Sequence, residues 1–226
     1  MATSVRRPGA APDLVKYGFF VLLALSVPLV LWADERFLIN PADPHWKHVE
    51  PFKWLLLVHG LAGVTALTTG TLQMSSRIRR LRPALHRAVG KVFLGSVSVA
   101  APAALAITLA GFEPRSIVVE QWFQSGGWLA SPWIAYACIR SGQMPLHKAW
   151  MMRSYAFTLI FIFARVPDFF LPAESDQFLS DLLWSLVVVA ALAPELILTT
   201  QTLWRIRSAK ARHAAAVTAA PLAAAE

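Results

Sequence analysis

The sequence predicts an all-α integral membrane protein, a six-helix bundle with its N-terminus and C-terminus in the cytoplasm. Of its 226 residues, 56% are hydrophobic and only 15% are charged, whereas a soluble domain usually carries about a quarter charged residues. The apolar residues also gather into six segments, each close to the roughly 20 residues that one bilayer crossing needs. Six crossings leave little chain for a separate soluble domain.

The six predicted membrane segments cover residues 17–33, 52–75, 86–110, 119–139, 146–165 and 179–204. The first follows a basic stretch, as a signal peptide does, but no small-residue cleavage site comes after it, which favours a retained anchor. The fourth is the least apolar, since Gln and Gly residues interrupt it. The chain therefore divides into a disordered tail (1–14), one transmembrane domain (15–205) and a cytoplasmic C-terminal tail (206–226).

The distribution of Lys and Arg predicts the orientation. If the segments alternate in direction, the 21 basic residues divide into sixteen on one side and five on the other, namely Arg36, Lys47, Lys53, Arg115 and Arg165. Cytoplasmic loops carry the excess of Lys and Arg, so both termini are expected inside. The same rule accounts for the net charge of +8. We therefore predict a lipid bilayer as the surroundings and no nucleic-acid partner.

A stripe of small and polar residues runs down the second segment. His59, Gly63, Ala66, Gly70 and Gln73 are spaced by four, three, four and three residues, which places them on one helix face. Such a face is typical of close helix packing in membranes. The alternative is that the glycines make room for a flat ligand beside His59.

His86 and His147 open the third and fifth segments from the same side, so we expect them at one depth. Two neutral imidazoles suit the axial positions of one b-type haem between helices 3 and 5. Arg87 and Lys148 follow them directly and suit the haem propionates. The alternative is an ordinary basic loop beside lipid headgroups. His59 is expected more than about 10 Å away in depth, too far to share a small metal.

Arg153 and Glu195 are expected at similar depths on consecutive antiparallel helices, which predicts a buried ion pair. Such a pair either locks the two helices together or serves as a proton or ion relay. Gln73 and Arg165 are further buried polar candidates, and Arg165 has Asp168 close by in sequence.

The sequence lacks the motifs of several other kinds of functional site. The single cysteine, Cys138, excludes a disulfide framework and a cysteine-based zinc or iron–sulfur site. No Gly-x-Ser-x-Gly, His-Glu-x-x-His or Walker motif occurs, which disfavours the corresponding hydrolases. Whether the protein is an enzyme stays open. Three functions remain: a haem protein for redox or sensory use with a membrane redox partner, a small-solute or proton-coupled transporter, and a non-catalytic partner or scaffold.

Three stretches resemble the bacterial family catalogued as domain of unknown function 2306: residues 59–73, 85–91 (Leu-His-Arg-Ala-Val-Gly-Lys) and 146–156 (Leu-His-Lys-Ala-Trp-Met-Met-Arg-Ser-Tyr-Ala). The resemblance spans roughly residues 55–200. It implies a six-helix protein of the bacterial inner (plasma) membrane with no assigned activity. A looser resemblance, to cytochrome b561-type ferrireductases, rests on the histidines His59, His86 and His147. The fourth segment supplies no histidine, so at most the His86–His147 pair looks like one haem site of that family.

Overall fold

Nearly all of the described chain is helical. The computed structural model describes residues 46–111, 113–170 and 176–223 and isolated positions between 18 and 42; the side chains of residues 48, 49, 166–170, 176 and 214–223 are outside the description. No strand occurs within these residues. The predicted all-α class is confirmed.

From Trp46 onward, the described chain begins with a helical turn (Trp46–Val49) and a 3-10 turn (Glu50–Phe52) and continues through six helices. They are α1 (Lys53–Gln73), the short α2 (Ser76–Leu81), α3 (Pro83–Ala110), α4 (Arg115–Arg140), α5 (Met144–Phe170) and α6 (Asp176–Ala223). The predicted second segment corresponds to α1, and the third to sixth segments correspond to α3–α6. Helix α6 runs on through residues 205–223, beyond the last apolar segment.

The predicted tail (1–14) and most of the first segment (17–33) lie outside the described residues. The isolated described positions of this segment are helical. One of them, Leu23, is buried in a cluster with Leu67 of α1 and with Tyr155 and Ile162 of α5. The described part of the first segment therefore packs on α1 and α5.

Local sequence signals set the helix ends at two tight connections, the one between α1 and α2 and the one between α4 and α5. Ser75 caps α2, because its side chain accepts a hydrogen bond from the amide of Ile78. Between α4 and α5, Gly142 has φ +73°, a left-handed conformation that glycine adopts without strain. The amide of Gly142 bonds to the carbonyl of Ile139, and that of Gln143 bonds to Cys138. This is the Schellman pattern of helix termination, and it turns the chain back into α5.

Length and hydropathy mark three candidate membrane spans within the described residues, not six. They are Glu50–Gln73, Pro83–Ala110 and Gln177–His213, which match the predicted second, third and sixth segments. Helices α4 and α5 are long enough but more polar, since α4 contains Glu120 and several Gln and Ser residues and α5 contains Lys148, Arg153 and Arg165. The sequence prediction counted apolar stretches without weighting these interior polar groups.

Four long helices form a ring, with α1 against α3, α3 against α4, α4 against α5, and α5 against α1. Helices α3 and α5 are therefore diagonal to each other. Helix α6 packs on the outside, against α5 and α4. Buried apolar side chains of α1, α3 and α4 fill the middle of the ring, among them Ala66, Phe93, Val97, Ala100, Ala101 and Trp128.

Candidate functional sites at the two ends of the bundle

Polar side chains concentrate at two levels of the bundle. We call the end that carries α2 and the α4–α5 turn the α2 end, and the opposite end the far end. Gln73, His86 and His147 lie at the α2 end. His59, Glu120 and Arg165 lie toward the far end. The buried apolar middle of the ring separates the two levels.

At the α2 end, His86 of α3 and His147 of α5 each lie in the first turn of their helices. Both side chains are half-buried. Their helices are diagonal in the ring, so the two histidines lie at the same end of the bundle on opposite sides of the ring.

The hydrogen bonds of the two rings differ. Nδ1 of His147 lies 2.9 Å from the carbonyl oxygen of Ala135 in α4. A carbonyl oxygen only accepts, so Nδ1 carries the proton and Nε2 keeps its lone pair. Nδ1 of His86, in contrast, is buried and makes no hydrogen bond. A buried polar nitrogen without a partner is unusual and points to a missing ligand or proton acceptor.

Gln73 fixes α1 against the start of α3. Its amide nitrogen donates to the carbonyl oxygen of His86 at 2.7 Å. At the other end of the stripe, Nδ1 of His59 bonds to the carbonyl oxygen of Ala100 at 2.9 Å. The stripe on α1 therefore faces α3 and is anchored at both ends by side chain to backbone bonds.

The small residues of the stripe differ in how closely they are packed. Gly63, Ala66 and Gly70 are buried. A Cβ on Gly70 would come within 2.8 Å of the Tyr155 ring and 3.0 Å of Phe93, whereas a Cβ on Gly63 would meet no described atom within 4 Å. Close packing is therefore shown at Gly70, and there is space at Gly63, one turn from His59. His59 lies fourteen residues from Gln73, about 21 Å along α1. The expectation that His59 and His86 cannot share a metal therefore agrees with the structure.

Arg153 and Glu195 are in contact. Nε of Arg153 donates to Oε1 of Glu195 at 2.5 Å, and the guanidinium lies 4.6 Å from the centre of the Trp150 ring. The side chain of Arg153 is 22% exposed and that of Glu195 is 49% exposed. The predicted pair thus forms on the outer surface, where α6 covers α5, and the prediction that Glu195 is buried is wrong. The reason is that α6 lies outside the ring, so the face of α6 that points away from α4 and α5 has no neighbouring helix among the described residues.

Arg165 is half-buried near the end of α5 and interacts electrostatically with His59 of α1. The predicted partner of Arg165, Asp168, has its side chain outside the described residues. Gln73 is also half-buried. Arg87 and Lys148 are exposed at the α2 end, next to the two histidines.

Sequence reasoning missed Glu120 of α4, which is fully buried at 0% exposure. A signal was present, because Ile117, Glu120, Trp128, Ser131 and Ala135 recur at helical spacing and are all buried. That pattern places Glu120 on the inward face of α4.

Within the described residues no group of three or more His, Cys, Asp or Glu side chains could hold a metal ion. His59 has no second described histidine at its level, which leaves it outside a two-histidine site.

Comparison with known proteins gives one match. The model of the family described as Predicted membrane protein (DUF2306) matches residues 56–214, which includes all of α3, α4 and α5. Neither the curated proteins nor the solved structures contain a match. The looser resemblance to cytochrome b561-type ferrireductases has no counterpart in these comparisons.

Proposed function

The chain belongs to the predicted membrane protein family DUF2306, a description that names no activity, and we propose that it binds one b-type haem at its α2 end for redox or sensory use. The observation that supports this proposal is that two half-buried histidines, His86 and His147, lie at the same end of the ring on the diagonal helices α3 and α5. Cofactor sites in helix bundles are commonly built from side chains on facing helices.

The chemistry of the two rings fits axial ligands. The bond from Nδ1 of His147 to Ala135 sets the tautomer that leaves Nε2 free for a metal. The unpartnered Nδ1 of His86 is available for an acceptor or a ligand at the same level. A bound haem supplies a one-electron redox centre. The residues of the chain would hold it from two sides, with Arg87 and Lys148 placed to meet its carboxylates.

The same proposal includes a six-helix topology in the bacterial inner membrane with both termini inside. Helices α4 and α5 bury several of their polar groups against each other, as when Nε1 of Trp128 donates to Oγ1 of Thr158 at 2.9 Å. A helix that satisfies its polar groups inside a bundle crosses a bilayer at lower hydropathy than an isolated one. The division of the basic residues supports the orientation.

An absorption spectrum tests the haem. We expect the purified protein, produced with ample haem, to give a sharp visible α-band when dithionite reduces it, with about one haem per chain. His86→Ala and His147→Ala should each abolish the band. His213→Ala is the matched control, because His213 is exposed on α6, and it should leave the band intact. A haem-replete protein without an α-band, or a band that survives both variants, would refute the proposal.

Cysteine labelling tests the topology. In a Cys138→Ser background, Ser141→Cys places one thiol in the α4–α5 turn and Arg115→Cys places one at the far end. A membrane-impermeant maleimide should label the second variant in intact cells and the first only after lysis. The opposite labelling pattern would show that the orientation is reversed. Equal labelling of both variants would contradict the six-helix topology.

Transport has less support. A transporter requires a water-accessible path to the midplane, and here the side chains of Phe93, Val97 and Trp128 are buried in the middle of the ring. A scaffold role becomes the better explanation if His86→Ala and His147→Ala both complement a knockout fully.

A further inference from the structure

Glu120 is the most unusual ionisable group in the described bundle. It lies in the second turn of α4, its side chain is fully buried, and neither carboxyl oxygen has a hydrogen-bond partner among the described residues. The other residues of the buried face of α4 are apolar or have local partners, as Ser131 does with the carbonyl of Gly127. Nothing in the packing of α4 requires a glutamate at this position.

Helix registers place Glu120 level with Arg165. Trp128 and Thr158 are bonded between antiparallel α4 and α5. Glu120 lies eight residues from the first and Arg165 seven residues from the second, which is about 12 Å and 10 Å toward the far end. Arg165 in turn interacts electrostatically with His59 of α1. Three helices thus bring one ionisable group each to the same level.

The other ionisable groups near this level lie on α4 itself, on the connection before it and on α6. They are Glu113 in the α3–α4 connection, Arg115 at the start of α4 and Asp181 in the second turn of α6. Asp181 accepts a hydrogen bond from Gln177. These groups are half-buried or exposed, so Glu120 is the only one of the described carboxyls at this end that is shut off from solvent.

We propose that Glu120 is a proton-binding site inside the helix bundle, which exchanges its proton with the far end. A buried carboxylate without a partner is strongly disfavoured, whereas the neutral acid can be accommodated. Proton uptake forms one O–H bond on a carboxyl oxygen and breaks the bond that held the proton to water. No oxidant or further reactant is needed.

A pair of hydroxyls marks the route. Oγ of Ser180 in α6 donates to Oγ of Ser116 in α4 at 3.0 Å. Ser116 is one helical turn from Glu120, toward the far end, and is exposed, while Ser180 is buried. Hydroxyls both donate and accept, so this pair, one helical turn from Glu120 along α4, is placed to pass a proton between that turn and the far end.

Infrared spectroscopy tests the site without reference to haem or transport. At neutral pH the protein in lipid should show the carbonyl stretch of a protonated carboxyl, and the band should shift when D₂O replaces H₂O. Glu120→Gln should remove the band. Glu113→Gln is the matched control, since Glu113 lies near the same end and is not buried, and it should leave the band unchanged.

Two further variants serve as controls, one for a failure of Glu120→Gln to fold and one for the exchange route. Glu120→Asp keeps a carboxyl and should keep a band at an altered frequency, so it remains informative if Glu120→Gln fails to fold. Ser180→Ala should slow the deuterium shift several-fold without removing the band. A band that is missing in the wild-type protein, or that Glu120→Gln leaves in place, would overturn the proposal, and a band that never shifts in D₂O would overturn the exchange with the far end.

Discussion

Gly70 of α1 faces Tyr155 of α5 so closely that a Cβ on Gly70 would lie 2.8 Å from Cδ2 of the tyrosine ring. The hydroxyl of the same tyrosine lies 2.6 Å from Oγ1 of Thr71, which itself donates to the carbonyl of Leu67. Because Thr71 uses its hydrogen there, Tyr155 is the donor to Thr71. One aromatic side chain thus fixes the distance and the register between α1 and α5.

Gly70→Ala should destabilise the protein by about 1–3 kcal/mol, because the added methyl group has to displace both Tyr155 and Phe93. Thermal unfolding in detergent measures the change. Gly95→Ala in α3 is the control: a Cβ there meets no described atom within 4 Å, and replacing a helical glycine gains up to about 1 kcal/mol. Equal effects of the two substitutions would contradict the close packing at Gly70.

Thr158→Val should destabilise the protein by about 1–3 kcal/mol, since it keeps the shape but leaves the indole N–H of buried Trp128 without its acceptor. Thr68→Val provides the comparison, because Thr68 is exposed and its hydroxyl bonds only to the carbonyl of Val64 on its own helix. If the Thr158→Val protein were as stable as the Thr68→Val protein, the Trp128–Thr158 hydrogen bond would not stabilise the packing of α4 on α5.

Arg153→Met and Glu195→Gln should be less destabilising together than the sum of the two single changes. The pair joins α5 to α6, but Glu195 is half-exposed, so we expect a coupling of only about 1 kcal/mol, as for other polar contacts between membrane helices. A double-mutant cycle on unfolding in detergent gives this number. Additive effects would show that the contact contributes nothing to stability. A coupling of several kcal/mol would indicate that another molecule buries the Arg153–Glu195 pair.

Tyr155→Phe should cost about 0.5–1.5 kcal/mol, the usual net contribution of one hydrogen bond, because it removes the bond to Thr71 and keeps the ring. Tyr136→Phe serves as the reference, since Tyr136 is 38% exposed at the surface of α4. Fluorescence-detected unfolding of both variants under one set of conditions compares them. A Tyr155→Phe protein with unchanged stability would assign the role of Tyr155 to its ring alone.

Much of the fold follows from local patterns. Apolar stretches longer than a bilayer crossing predicted the second, third and sixth segments as spans, since chain length and hydropathy are properties of the segment itself. The spacing of His59 to Gln73 predicted one packed face on α1. Similar depth predicted that Arg153 would contact Glu195, which it does.

The remaining features depend on which helices become neighbours, and a single sequence does not contain that information. No local sequence pattern shows that α6 lies outside the ring. For that reason Glu195 was expected to be buried, whereas its side chain is half-exposed. Glu120 looks like an ordinary acid near a helix end until the folded bundle buries it.

The sequence by itself determined the helices and their approximate ends, because these follow from hydropathy and from local signals at the helix ends. Only the tertiary structure decided that α3 and α5 face each other across a ring and that Glu120 has no partner. Burial is a property of the surrounding helices, and the rotation of each helix about its axis is set when all of them pack together.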